Sequence, residues 1–196
     1  MKLSDKSPVY RYDIIQHLIN KNKYKRFLEI GVEERITQDN IDVEHKDGVD
    51  PNGAGNFTMS SDKFFAELDP EVKYDIIFVD GLHEKEQVER DLNNSLKHLQ
   101  KGGTIVMHDC NPPNEEYQDN PPNWCGDTWK AYLKFRNTRK DLCMRTVDAD
   151  LGCGIIQIGR QDLYPTKENM YTWDEFADNR EKILRLISVD EFEKQY

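Results

Sequence analysis

The sequence has no lysine- or arginine-rich tract. Its 196 residues carry 27 basic and 37 acidic side chains, for a net charge of −10. Nucleic-acid binding needs concentrated positive charge to neutralise phosphates, so that partner is disfavoured, and docking on an anionic membrane surface is disfavoured for the same reason. No apolar run approaches the length that spans a bilayer, and the opening MKLSDKSPVY lacks the apolar core of a signal peptide. A cytoplasmic location is the expectation. Cysteine is scarce: Cys110, Cys125, Cys143 and Cys153 form no C-x-x-C pair. Reduced thiols are expected, with neither a disulfide framework nor a structural zinc. No G-x-G-x-x-G follows the first strand-like segment. That counts against a nicotinamide-dependent oxidoreductase.

What is present is a set of short apolar runs that end in acids. Hydrophobic residues make up 37% and charged residues 33%. The chain is polar, yet its Val/Ile/Leu runs mark it as folded. Its length suits one domain over 1–196, read as an N-terminal helix (1–24), a core (25–160) and a charged tail (161–196). SPVYRYDIIQHLINKN reads as a helix, with Ser7 as cap, Pro8 in the first turn, and Tyr10, Ile14, Ile15 and Leu18 on one face. KRFLEIG, KDGVDP and NFTM read as strands, the last one weak. SSDKFFAEL reads as a helix capped by Ser60 or Ser61. YDIIFVD does not alternate apolar with polar residues, as expected of a strand buried on both faces in a parallel sheet. Glu84 to Leu99 is an amphipathic helix with Val88, Leu92, Leu96 and Leu99 in its stripe, which Gly102-Gly103 is expected to stop. GTIVMHD is the next strand.

A long loop rich in proline, asparagine and glutamate runs from Cys110 to Trp124 and reads as a lid. DTWKAYLKFRN is helical, with Asp127 as cap and Trp129, Tyr132 and Leu133 facing the core. LCMRTVD and GCGIIQIG form an antiparallel hairpin. The helix-prone tail, Trp173 to Phe192, packs either on the domain or on a second copy, so a homo-oligomer stays open. Strand and helix alternate for most of the chain. This predicts an α/β fold: a doubly wound, mostly parallel, Rossmann-like sheet with an antiparallel C-terminal hairpin.

In such sheets ligands bind at the carboxyl ends of the strands. Glu29, Gly31, Asp50, Asp80, His108 and Asp109 all fall at strand ends and should share one crevice. Asp50 lies 19 residues after Gly31. An acid about 20 residues on holds ribose hydroxyls in dinucleotide-binding units, although Asp50-Pro51-Asn52-Gly53 also reads as a simple turn.

The order LEIGV, GVDP, SSDKFF, FVDGLHEKEQVERDL, GGTIVMHD resembles the class I S-adenosylmethionine-dependent methyltransferases. More narrowly, it is similar to the small branch associated with glycan and natural-product pathways. The resemblance covers about Phe27 to Gly159. It implies S-adenosylmethionine as cofactor. Glu29 and Gly31 would line its methionine end, Asp50 its ribose and Ser61 and Asp62 its adenine, while Asp80 and Gly81 would border the transfer crevice. One departure stands out: the family loop carries a further small residue after EIGV, where this chain has Glu33-Glu34-Arg35.

Methyl transfer to oxygen requires a hydroxyl to lose its proton, which a base or a divalent metal assists. Asp80, His108 and Asp109 are the expected ligands for Mg or Mn. Alternatively His108 acts directly as base, oriented by Asp80 or Asp109. His83 is a catalytic helper or a helix cap, and Trp124 is the candidate to stack on an acceptor. His17, His45 and His98 read as surface or packing residues. The acceptor implied is a sugar, glycan-intermediate or nucleotide-sugar hydroxyl. The alternatives are an amine or phenolic acceptor, and a nonenzymatic cofactor-binding subunit.

Overall fold

The apolar run of β3 (Tyr74–Val79) lies at the middle of the molecule because both of its faces have something to bury. The computed structural model describes residues 2–119 and 124–196. Its seven strands form one sheet in the order β2-β1-β3-β4-β6-β5-β7. β1 (Arg26–Ile30) pairs in parallel with β2 (His45–Val49) and β3, and β3 pairs in parallel with β4 (Leu99–Met107). β5 (Leu142–Val147) and β6 (Cys153–Ile158) form the antiparallel hairpin, with β6 against β4. This is the Rossmann-like arrangement that the strand–helix alternation predicts.

Successive strand residues point to opposite faces. Leu28, Ile77, Val79, Ile105 and Met107 pack on one side, with α3 (Ser61–Glu67), α4 (Lys85–His98), α5 (Thr128–Thr138) and α6 (Trp173–Leu184). Phe27, Ile76, Phe78 and Val106 pack on the other, with α1 (Arg11–Asn22) and α7 (Val189–Gln195). A sheet covered on both faces needs continuous apolar strands, which is why YDIIFV does not alternate.

Several boundaries differ from the sequence reading. α1 begins at Arg11 rather than near Ser7-Pro8, and Asp13 accepts from the Tyr10 N–H across its first turn. Tyr10 therefore precedes the helix and is exposed. NFTM makes only a single bridge, Val49 to Phe57, because its neighbours turn away at once. Gly102 and Gly103 do not stop α4; the helix ends at His98 and both glycines lie within β4, where the register against β3 shifts. A short α2 (Ile36–Asn40) and a two-residue β7 (Leu186–Ile187) beside β5 carry no periodic signal. The tail packs on its own domain: Phe176, Ile183 and Phe192 are fully buried. Of the expected lid, residues 120–123 lie outside the described residues.

Candidate active site

Hydrogen bonds carry the sheet ladder one step beyond β1, β3 and β4. Gly31 N–H donates to Val49 O (2.9 Å), Asp80 N–H to Ile30 O (2.9 Å) and His108 N–H to Val79 O (3.1 Å). The residues after these strands are thus held side by side before any side chain acts. Gly31 has φ 84°, and a Cβ there would lie 2.0 Å from the Asp80 carbonyl oxygen. Only glycine permits this contact between the first loop and the Asp80 turn.

The sequence-predicted cluster assembles, with one change of rank. His108 Nδ1 lies 3.3 Å from both Asp80 Oδ1 and Asp109 Oδ1. His83 Nε2 lies 3.3 Å from Asp80 Oδ1 and 3.3 Å from Asp109 Oδ2. Ligand atoms of Asp80, His83 and Asp109 all fall within 4.8 Å of one another. His83, expected only as a helper or cap, therefore stands in the centre, and α4 starts after it, at Lys85. Its Nδ1 lies 2.6 Å from the Trp124 carbonyl. A carbonyl only accepts, so Nδ1 carries a proton and donates, which leaves Nε2 facing the two carboxylates. Gly126 closes the clamp. Its φ is 56°, and a Cβ there would meet the His83 carbonyl oxygen at 2.3 Å.

Electrostatics follow from the packing. Burial raises the Asp80 carboxyl, but the His108 and His83 imidazoles outweigh burial and hold it well below the usual carboxylate range. Burial lowers both histidines, yet their carboxylate partners win and raise them, His108 strongly. Asp109 has φ 57°, a left-handed conformation that a non-glycine residue holds at a cost of ~1–3 kcal/mol.

Three residues at this site carry no sequence motif. Asp150, at the tip of the β5–β6 hairpin, has its Oδ2 3.6 Å from His108 Nε2. That separation is electrostatic contact rather than a hydrogen bond. The same oxygen accepts from the Arg11 backbone N–H (2.7 Å) and lies 3.2 Å from its Nη1. Arg11 also approaches Asp80 Oδ2 (3.7 Å) and donates from Nε to Thr37 Oγ1 (3.1 Å). The hairpin signal could have located Asp150, since the tip lies at the carboxyl end of β5. Nothing marked Arg11. Cys125 is likewise new, with its thiol 3.4 Å from Asp109 Oδ1.

These residues line a cavity of about 610 Å³ that runs past Glu29, Gly31, Asp50, Ser61, Gly81 and Trp124. Glu29 is 2% exposed, and its Oε2 has no hydrogen-bond partner. Burial, with help from Asp80, pushes its carboxyl up to about 8. A buried carboxyl with a free oxygen fits the ammonium of an amino-acid moiety. Asp50 is already engaged. Its Oδ2 accepts from Val32 and Glu33 N–H (3.1 and 2.9 Å), and its Oδ1 from Asn52 N–H (2.7 Å). It shapes the first loop as well as facing the cavity. Ser61 lines the far wall beside Gln87 from α4, whose amide donates to Ser61 Oγ, Asp62 and Asp91. Asp62 is exposed and turned to Arg90, outside the cavity wall. The cavity, the glycine approach and the unpaired Glu29 oxygen fit S-adenosylmethionine. The Asp80, His83 and Asp109 donors fit a divalent ion.

Residues 16–110 match the model of a family described as a methyltransferase domain. No curated protein sequence matches the chain. Among solved structures, a protein provisionally described as an O-methyltransferase from Klebsiella pneumoniae superposes with a TM-score of 0.57 at 12% identity, over 76% of this chain and 80% of that one. The O-methyltransferase from Bacillus cereus, in complex with S-adenosylhomocysteine, gives 0.54 at 12% identity, over 76% and 80%. TomG from Streptomyces achromogenes, an O-methyltransferase involved in tomaymycin synthesis and in complex with S-adenosylmethionine, gives 0.51 at 12%, over 74% and 78%. At such identities the structures speak for the fold, and the domain match speaks for the activity. Together with a cavity that fits the cofactor, the methyltransferase-domain match over residues 16–110 supports an S-adenosylmethionine-dependent methyltransferase activity for this chain.

Proposed function

We propose that the enzyme methylates a hydroxyl oxygen of a small molecule, a sugar or glycan-intermediate hydroxyl, with a divalent ion held between the ends of β3 and β4. The observation that carries this reading is the convergence of Asp80 and Asp109 with the imidazoles of His83 and His108 beside the cavity. When bound, the cofactor supplies an electrophilic methyl group on a sulfonium centre, and a divalent ion such as Mg or Mn would lower the pKa of the acceptor hydroxyl.

The chain's own residues divide the remaining work. Asp80 and Asp109 offer hard oxygen donors to the ion, and an imidazole completes the set. Two imidazoles are at hand. His108 is 6% exposed and flanked by three carboxylates, which suits a fixed ligand. His83 keeps Nε2 on the cavity side with its ring set by Trp124, and with Asp80 and Asp109 engaged by an ion that nitrogen would be free of them to take the hydroxyl proton. Trp124 stands at the mouth, where its indole can lie on a ring face. The O-methyltransferase descriptions of the similar structures are in keeping with oxygen as the acceptor atom.

The test is calorimetric titration with S-adenosylhomocysteine, followed by an acceptor screen with and without EDTA. Binding of the product cofactor, and activity lost on chelation and restored by Mg or Mn, is the expected result. The reading fails if millimolar S-adenosylhomocysteine does not bind. The metal part fails if activity ignores both EDTA and Asp109→Asn, and an amine acceptor used in preference to hydroxyls would sink the oxygen assignment.

A further inference from the structure

The charged residues around the cavity are sharply unbalanced. Glu29, Glu33, Glu34, Asp50, Asp80 and Asp109 line it, against Arg11 as the one lysine or arginine among its described residues. Arg11 is itself occupied by Asp150, Asp80 and Thr37. The other nearby guanidinium, Arg35, lies outside the cavity lining and is tied to Asp39. A cationic cofactor and a divalent ion would consume much of the inner acid. Glu33 and Glu34 remain, exposed at the mouth where an acceptor must enter. Low-dielectric walls focus such a field, and the chain's net charge of −10 adds to it.

The mouth is also apolar in patches. Large hydrophobic side chains are seldom exposed on this protein, yet Ile36, Leu82 and Trp124, at 45%, 48% and 36% exposure, all line this cavity. The Trp124 ring lies 5.2 Å from the His83 ring, so the apolar lip adjoins the reacting cluster.

We infer that the acceptor is an uncharged or cationic hydroxyl compound with an apolar ring face, seated on Leu82 and Trp124, and that anionic acceptors are rejected. The inference rests on the hydroxyl-methyltransferase reading and narrows it. A nucleotide-linked sugar, or any acceptor carried on a phosphate-bearing coenzyme, meets unpaired carboxylates and no free cation. A neutral glycoside or a ring bearing an amine meets stacking surface and a favourable field. Like-charge juxtaposition makes selectivity of this kind partly repulsive, so it is visible as a salt effect.

Ligand-detected NMR on protein saturated with S-adenosylhomocysteine tests this with matched probes: 4-nitrophenyl β-glucoside, its 6-phosphate, and 4-nitrophenyl β-glucosaminide. The two unphosphorylated probes should bind at least about tenfold tighter than the phosphate. Raised salt or the double change Glu33→Gln, Glu34→Gln should shrink that ratio. Leu82→Ser should weaken all three together. Equal or tighter binding of the phosphate overturns the inference, as does failure of both unphosphorylated probes on protein that binds S-adenosylhomocysteine. Failure of S-adenosylhomocysteine itself to bind overturns the function reading and this inference with it.

Discussion

Arg35 has φ 65°, in the left-handed region, on the loop where the family pattern has a small residue. The loop keeps a glycine-like path without the glycine, and Arg35 Nη2 and Nε hold Asp39 (2.9 and 3.2 Å). Side chains in this region cost roughly 1–2 kcal/mol. Arg35→Gly and Arg35→Ala lose the same guanidinium contacts, so their difference isolates the backbone. The glycine variant should be more stable by about 1 kcal/mol, measured by urea denaturation. Equal stability would mean that the loop relaxes. Glu29 gives a second residue-scale prediction. Its folded carboxyl is raised to about 8, so between the unfolded value near 4.5 and 8 the native state holds the extra proton. Stability therefore falls as pH rises through that window, by on the order of a few kcal/mol at most, and Glu29→Gln should flatten the slope. Glu29, Gly31, Asp80, His108 and Asp109 were legible in the sequence because strand ends are. The partners of Asp50 were not, since backbone donors leave no mark on composition. The rank of His83 was hidden because its orientation depends on a carbonyl 41 residues later.

At the scale of elements, the β5–β6 hairpin does more than close the sheet. Asp150, Leu151 and Gly152 are all left-handed, with φ 47°, 61° and 89°. The tip is pinned by Cys110 N–H to Gly152 O (3.0 Å) and Asn111 N–H to Leu151 O (2.8 Å). Strain of this kind persists where surrounding contacts over-determine it. Its result is the Asp150 carboxylate between Arg11 and His108. If His108 Nδ1 faces an ion, Asp150 steadies the ring by charge across 3.6 Å, a weaker hold than the hydrogen-bonded outer carboxylate whose removal costs about 10–100-fold in metal affinity. Asp150→Asn should therefore lower Mn affinity by no more than about tenfold in calorimetry and leave the circular dichroism spectrum unchanged. Unchanged affinity would show that Asp150 acts only on Arg11. The hairpin, β1 to β4 and the long helices were legible because their periods are plain. α2, β7 and the start of α1 were not. They are short, and tertiary pairing rather than local pattern sets their ends.

For the whole molecule, the two chain ends share one face of the sheet, and the active site depends on that face. α1 carries Arg11 into the cluster from one end and buries Ile14, Ile15 and Leu18 beneath it. α7 covers the same layer: Phe192 is fully buried, with its ring 5.3 Å from His17 and 5.3 Å from Tyr196. Glu193 binds the amino-terminal turn, accepting from Leu3 N–H (2.6 Å) and Ser4 Oγ–H (2.7 Å). The charged tail thus acts as a cover for the second core, which its composition alone left undecided. Phe192→Ala removes a fully buried ring and should cost about 3–5 kcal/mol. For a domain of this size that is a fall in Tm of roughly 10 °C. The site end of α1 has its own anchors in the Arg11–Asp150 and Lys6–Asp13 pairs. Well below its Tm the variant should therefore bind S-adenosylhomocysteine within about twofold of the parent, and the ligand should raise both melting points by mass action. Parallel thermal melts and titrations at 10 °C decide it. A variant with normal Tm would deny α7 its structural role. A variant that folds but loses the ligand would instead show that the tail sets the position of Arg11 directly.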